Sequence, residues 1–183
     1  MLKRKSKRVL SIVLAVAMIV GLFPIAAFAD EGTSAPTTIY VDASASDDNG
    51  SGEQNSPYKT LEKALQNANN GDTIQLAAGE YTAPASRWAG VVVNIQGAGS
   101  GQTTIADALW MGAGSDDTTV TDVTEITISG VTFKNDDGAS NWSNTGLGFS
   151  RINNCAITVK DCLVDGFQHG IHMNGMLETQ VLS

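Results

Sequence analysis

Basic residues are scarce in this chain, and their placement makes the shortage sharper. Of 11 Lys and Arg, five (Lys3, Arg4, Lys5, Lys7 and Arg8) fall within the first eight residues. Beyond residue 29, six basic residues face all 19 acids, a net charge of −13. That balance excludes a nucleic-acid partner, because phosphate binding needs clustered Lys and Arg. It would also repel an anionic polysaccharide unless a divalent cation bridged the two. Neutral glycans meet no such barrier. Cysteine is almost absent, with only Cys155 and Cys162, so no disulfide scaffold holds the fold. One bridge is conceivable in an oxidising compartment. A corner expected between the two cysteines would hold their Cα atoms too far apart, which favours two buried thiols acting as small hydrophobes. The motifs G-x-S-x-G, H-E-x-x-H, CxxC and the phosphate loop are all missing, which removes the commonest signatures of hydrolytic, zinc, redox and nucleotide chemistry.

The one long apolar run is Val9 to Phe23, behind the basic cluster and ahead of Ala27-Phe28-Ala29. A basic segment, an apolar segment and a small-x-small site make residues 1–29 a cleavable signal peptide. Gly21 and Pro24 interrupt the run, which argues against a membrane anchor, so no membrane span is expected after cleavage. The long basic segment points to export from a Gram-positive bacterium, to the medium or the cell surface. Residues 30–37 read as a short polar lead, and residues 38–183 as one domain large enough for a sizeable core.

Within that domain, Ile39 to Val41 is an apolar strand followed by a loop rich in Asp, Asn and Gly. Tyr58, Leu61, Ala64, Leu65 and Ala68 then recur along one helical stripe. Ser56 with Pro57 makes an N-cap and N1 pair, Thr60 could start a shorter helix, and Gly71 is the expected stop. Beyond it the chain repeats. Ile126-Thr-Ile-Ser-Gly-Val-Thr-Phe133 aligns without a gap on Ile157-Thr-Val-Lys-Asp-Cys-Leu-Val164, and Val93–Gly97 aligns on Ile126–Gly130. The last inward residue of each run advances from Leu76 to Ile95, Ile128 and Val159, steps of 19, 33 and 31. Ile126 and Ile128 share a face by alternation, as do Val131 and Phe133, but the step from 128 to 131 is odd. Ser129-Gly130 must therefore turn a corner that keeps the apolar side inward. Such a period with strand alternation predicts stacked parallel strands.

Residues Tyr40, Val41, Asp47, Gly50, Pro57, Tyr58, Thr60, Leu61, Ala64, Gly71, Asp72, Thr73, Ile74, Leu76, Gly79 and Tyr81 carry a resemblance. Their order resembles the N-terminal cap of right-handed parallel β-helix proteins of the pectate-lyase-like kind, over roughly residues 38–175. The resemblance implies an all-β fold, a right-handed parallel β-helix solenoid with an N-terminal capping α-helix. It implies work on extracellular polysaccharide without fixing an activity. Because no cap follows the segment Gly170–Met173, the chain reads as truncated at its C-terminus.

If Ile105, Phe133 and Val164 are equivalent inward positions, Asp107, Asp136 and Asp165 follow them on successive turns. Acids one strand spacing apart suit Ca²⁺ or glycosidase chemistry, and equally serve as solvated strand ends. The loop acids Asp42, Asp47, Asp48 and Glu53 read chiefly as turn chemistry. Trp88, Trp110 and Trp142 could stack on sugar rings, with Trp142 favoured because it lies in the polar stretch DDGASNWSNTG. Its alternative role is to anchor its own loop. His169 and His172 lie three apart on a strand, which should point them to opposite faces and disfavour a shared metal.

These residues predict a secreted or cell-surface protein that binds or acts on extracellular polysaccharide, with this chain a non-catalytic N-terminal portion. The glycan would be neutral, or anionic through Ca²⁺. The competing class is a polysaccharide lyase or glycoside hydrolase whose catalytic turns lie beyond Ser183, and a third reading is a structural adhesin stalk. Scarce Arg and Lys weigh against a lyase on uronic acids.

Overall fold

The computed structural model describes residues 35–112, 120, 122–135, 144–175 and 180–182. The proposed signal peptide, Asp136 and Trp142 lie outside these residues. Strands dominate, and every pairing between them is parallel. The chain is all-β with a single short helix among the described residues.

The first sheet contains β1 (Thr38–Val41), β2 (Thr73–Leu76), β4 (Asn94–Gln96), β7 (Glu125–Ser129), β10 (Ala156–Lys160) and β13 (Gln180–Leu182), in that order. The second runs β3 (Gly79–Thr82), β5 (Thr103–Ala106), β8 (Thr132–Lys134), β11 (Leu163–Asp165). The third runs β6 (Leu109–Gly112), β9 (Thr145–Ser150), β12 (His169–Asn174). From β4 onward the chain visits the three sheets in the same rotation, so each strand lies beside its counterpart from the preceding circuit.

The gapless repeat appears as register: Ile126 pairs with Ile157, Ile128 with Val159, and Phe133 with Val164. Ile95 pairs with Ile128 as the shorter alignment requires. The opening step is a correction. Ile74, not Leu76, pairs with Ile95, so the first advance is 21 residues rather than 19. Strand parity hides the slip, because Ile74 and Leu76 are both fully buried. Ile74, Ile95, Ile128, Ile105, Phe133, Met111, Leu147 and Phe149 join one core cluster, so all three sheets share a single interior. Truncating Phe133 would cost about 3–5 kcal/mol.

Corners separate the sheets. Gly130 (φ 67°) and Asp161 (φ 53°) follow strands of the first sheet, Asp107 (φ 70°) and Gly166 (φ 78°) the second, and Arg151 (φ 54°) and Gly175 (φ 61°) the third. At these six corners a left-handed residue reverses the pleat, which explains the odd step between Ile128 and Val131. At Gly97 a second constraint applies. A β-carbon there would overlap the carbonyl of Gly130, so adjacent circuits touch backbone to backbone.

The helix α1 (Leu61–Asn67) is shorter than a Ser56–Pro57 start would make it. Tyr58 is spent on the first sheet instead: its N–H donates to the Tyr40 carbonyl (3.0 Å), and its own carbonyl accepts from Asp42 N–H (2.8 Å). Extended backbone at Tyr58 forbids a helix there, so Thr60 caps it, accepting from Lys63 N–H at 3.2 Å. Leu61, Ala64 and Leu65 bury one face, as the stripe predicts. The helix ends at Asn67, with an extended Ala68 as its C-cap, before Gly71. Cys155 is buried, Cys162 is half-buried, and both are free thiols.

Candidate functional site

The third sheet carries a row of aromatic rings on its outward face. Trp110 lies on β6 between the buried Leu109 and Met111, so alternation turns its indole outward. Its register partner on β9 is Gly148, and Gly148 in turn pairs with His172 on β12. Strands in one sheet lie about 4.8 Å apart, so residues two strands away are separated by nearly twice that. The Trp110 and His172 rings nevertheless have centroids only 5.5 Å apart. Gly148 makes this contact. A β-carbon at that position would overlap the Trp110 indole, so the ring lies across bare backbone and reaches the next strand.

On its other side Trp110 meets Trp88, with centroids 5.3 Å apart and a 44° tilt. Backbone bonds fix that pair: Trp110 N–H donates to Arg87 carbonyl at 2.8 Å, and Ala89 N–H to Trp110 carbonyl at 2.7 Å. His169 extends the row, edge-on to His172 at 6.1 Å. The expectation that these histidines point apart therefore does not hold for their rings, which are neighbours on the edge strand. Both tryptophans are half-buried and both histidines exposed. The indoles offer tilted apolar faces suited to sugar CH groups. Each imidazole adds ring nitrogens that can hydrogen-bond to sugar hydroxyls.

Trp142, the favoured stacking residue, lies outside the described residues. The roots of its segment are joined by Asn135, whose amide donates to Asn144 Oδ1 at 2.8 Å. Sequence reasoning ranked Trp110 lower and did not single out Gly148. The available signal was the register: extending the 148–172 pairing back to 110 places a ring, a glycine and a ring in one column.

The acids expected to share a column do not occupy one register position. Asp165 pairs with Lys134, and Lys134 with Ala106, so Asp107 lies one step further along, at the corner. There its N–H donates to the Lys134 carbonyl at 3.0 Å. Among the described residues no three His, Cys, Asp or Glu side chains converge as a metal site. Three loop acids are occupied locally. Asp42 accepts from Ser44 Oγ (2.7 Å) and N–H (2.8 Å), which holds its carboxyl below the usual range. Asp47 accepts from Asn49 N–H at 2.9 Å. Asp48 accepts from the N–H groups of Lys59 and Thr60, both at 2.8 Å, and from Thr60 Oγ1 at 2.9 Å.

A family model described as "Protein of unknown function (DUF1565)" matches residues 44–182. The chain belongs to this family. No curated protein and no solved structure matches it. The family's description assigns no chemistry, so the functional argument rests on the residues. No helix among the described residues is long and apolar enough to cross a membrane.

Proposed function

We propose that this is a secreted or cell-surface protein that binds extracellular polysaccharide through the Trp88–Trp110–His172 row, without cleaving it. The observation that carries the reading is the indole of Trp110 lying over Gly148, within ring contact of both neighbours. A row of rings on a sheet face, two half-buried and one exposed, is pre-organised, because backbone pairing fixes its spacing before any ligand arrives. Stacking of this kind suits successive rings of an extended chain better than a small rigid ligand.

The three sheets are read as the flanks of a right-handed parallel β-helix, with α1 covering its first turn. The sheet rotation repeated from β4 onward and the left-handed corners support this architecture. Export follows from the leader, and the pattern of that leader suggests a Gram-positive source. The net charge of −13 beyond it favours a neutral glycan, with Ca²⁺ needed to bridge an anionic one.

Affinity electrophoresis through gels cast with xylan, galactomannan or mixed-linkage β-glucan tests the proposal. Residues 30–183 should be retarded by at least one polysaccharide, and Trp110→Ala should migrate as in a blank gel. Unretarded migration in every gel, or equal retardation of Trp110→Ala, would remove the ring row as the binding site. Release of reducing ends by the wild-type chain would move the protein into the enzyme class.

A further inference from the structure

A cleft of about 630 Å³, within the usual size range of small-molecule sites, is lined by residues of the two segments that lead from β3 and β5 into the ring row. Lys59 reaches it from the loop ahead of α1, Glu80 and Thr82 from β3, Arg87 from the connector after β3, and Asp107 from the corner after β5. We propose that this cleft is a second subsite, which holds one end of the same neutral glycan that the rings stack; it therefore rests on the ring-row reading.

Two observations join the cleft to the row. The first is connectivity. The segment that brings Arg87 to the cleft brings Trp88 to the row, and the segment that brings Asp107 to the cleft brings Trp110 to the row. The two segments are tied by Ala83 N–H to Ala106 carbonyl (2.9 Å) and Trp110 N–H to Arg87 carbonyl (2.8 Å), so cleft and row share a wall. The second is restraint. Arg87 (φ 64°) and, at its corner, Asp107 (φ 70°) both adopt the left-handed region, so backbone geometry fixes the two cleft residues whose segments run into the row.

The lining chemistry identifies the ligand class. Lys59 and Arg87 supply donors, Glu62, Glu80 and Asp107 supply acceptors, and the Thr82 hydroxyl supplies both. Three carboxylates oppose a phosphate, and two cations beside them oppose a lone metal ion. Sugar hydroxyls donate and accept together, which suits such a wall. A glycan long enough to cover both features should bind more tightly than one covering either, because the second contact becomes intramolecular.

Calorimetry on residues 30–183 with oligosaccharides of increasing length, cut from xylan, galactomannan and mixed-linkage β-glucan, tests this. Asp107→Asn combined with Glu80→Gln turns two carboxylates into amides, which keep one acceptor oxygen each but lose the charge-assisted hydrogen bonds, and Asn tolerates the left-handed backbone of residue 107; Ala85→Arg fills the cleft. Thermal melting confirms that each variant is folded, and either variant suffices alone. Affinity for the wild type should climb with chain length, and both variants should weaken the longest oligosaccharides by on the order of tenfold. The shortest that still bind should be unaffected. If the variants bind every length as the wild type does while Trp110→Ala does not, the cleft proposal fails and the ring row stands. If no oligosaccharide binds the wild type, both readings fail.

Discussion

The indole of Trp110 occupies the space that any side chain at residue 148 would fill. A glycine on one strand thus sets the position of a ring on another, and through it the contact with His172 on a third. Gly148→Ala should lift the indole from the sheet and separate it from His172. Overpacking at such a contact costs about 1–3 kcal/mol, and the outward face leaves the ring room to move, so the low end is expected. Near-ultraviolet circular dichroism should lose the Trp88–Trp110 contribution while the far-ultraviolet spectrum is retained. An unchanged aromatic spectrum would mean that the ring does not lie over Gly148.

Thr60 rather than Ser56 starts α1. Thr60→Ala should cost about 1 kcal/mol by denaturant unfolding, the usual loss for an N-cap side chain. Here the Thr60 hydroxyl also donates to Asp48, so the loss can exceed that of a simple cap. A negligible change would place the helix start elsewhere.

Asp48 links that cap to pH. Burial pushes its carboxyl pKa upward, but hydrogen bonds from Thr60 and Lys59 and the nearby Lys63 charge outweigh this and leave it lowered from 3.8. A carboxyl lowered on folding stabilises the protein above its unfolded pKa, and that stability is lost as pH falls through the folded value. The melting-temperature gap between wild type and Asp48→Asn should therefore be full near neutrality and close at strongly acidic pH. A gap that does not change with pH would contradict the role of the ionised carboxylate.

Burial raises the thiol pKa of Cys155, with Glu125 adding to it, and burial likewise raises that of Cys162. Both should therefore remain protonated near neutral pH and react slowly with a thiol reagent in the native state, Cys155 the slower of the two. Denaturation should release two equivalents of free thiol. Recovery of none would indicate a disulfide.

Much of the fold was legible because its signals are local and periodic. The 31-residue repeat fixed the register of Ile126 with Ile157, and the odd step at Ser129-Gly130 marked a corner that φ at Gly130 makes explicit. The opening step was missed because strand alternation has period two. A two-residue slip between Ile74 and Leu76 leaves the inward pattern unchanged, so composition cannot detect it. The helix start was misplaced because local capping preference at Ser56-Pro57 lost to strand pairing at Tyr58, a contact with Tyr40 that lies far off in sequence. The acidic column failed as a register for a related reason. Counting one residue past Phe133 gives Lys134, which faces Asp165. The ring row needed the third sheet, whose strands repeat too weakly in sequence to align by eye. Only β6, β9 and β12 side by side bring Trp110, Gly148 and His172 together.

If the ring row is the surface that a glycan touches, its indoles must sense the bound sugar. Nitrogen–proton correlation spectra of labelled residues 30–183, titrated with the polysaccharide that retards the chain, test this most directly. The indole signals of Trp88 and Trp110, assigned through Trp→Phe variants, should shift together with the Gly148 amide and saturate at one common midpoint. A titration in which the polysaccharide binds while these three signals stay fixed would contradict the account.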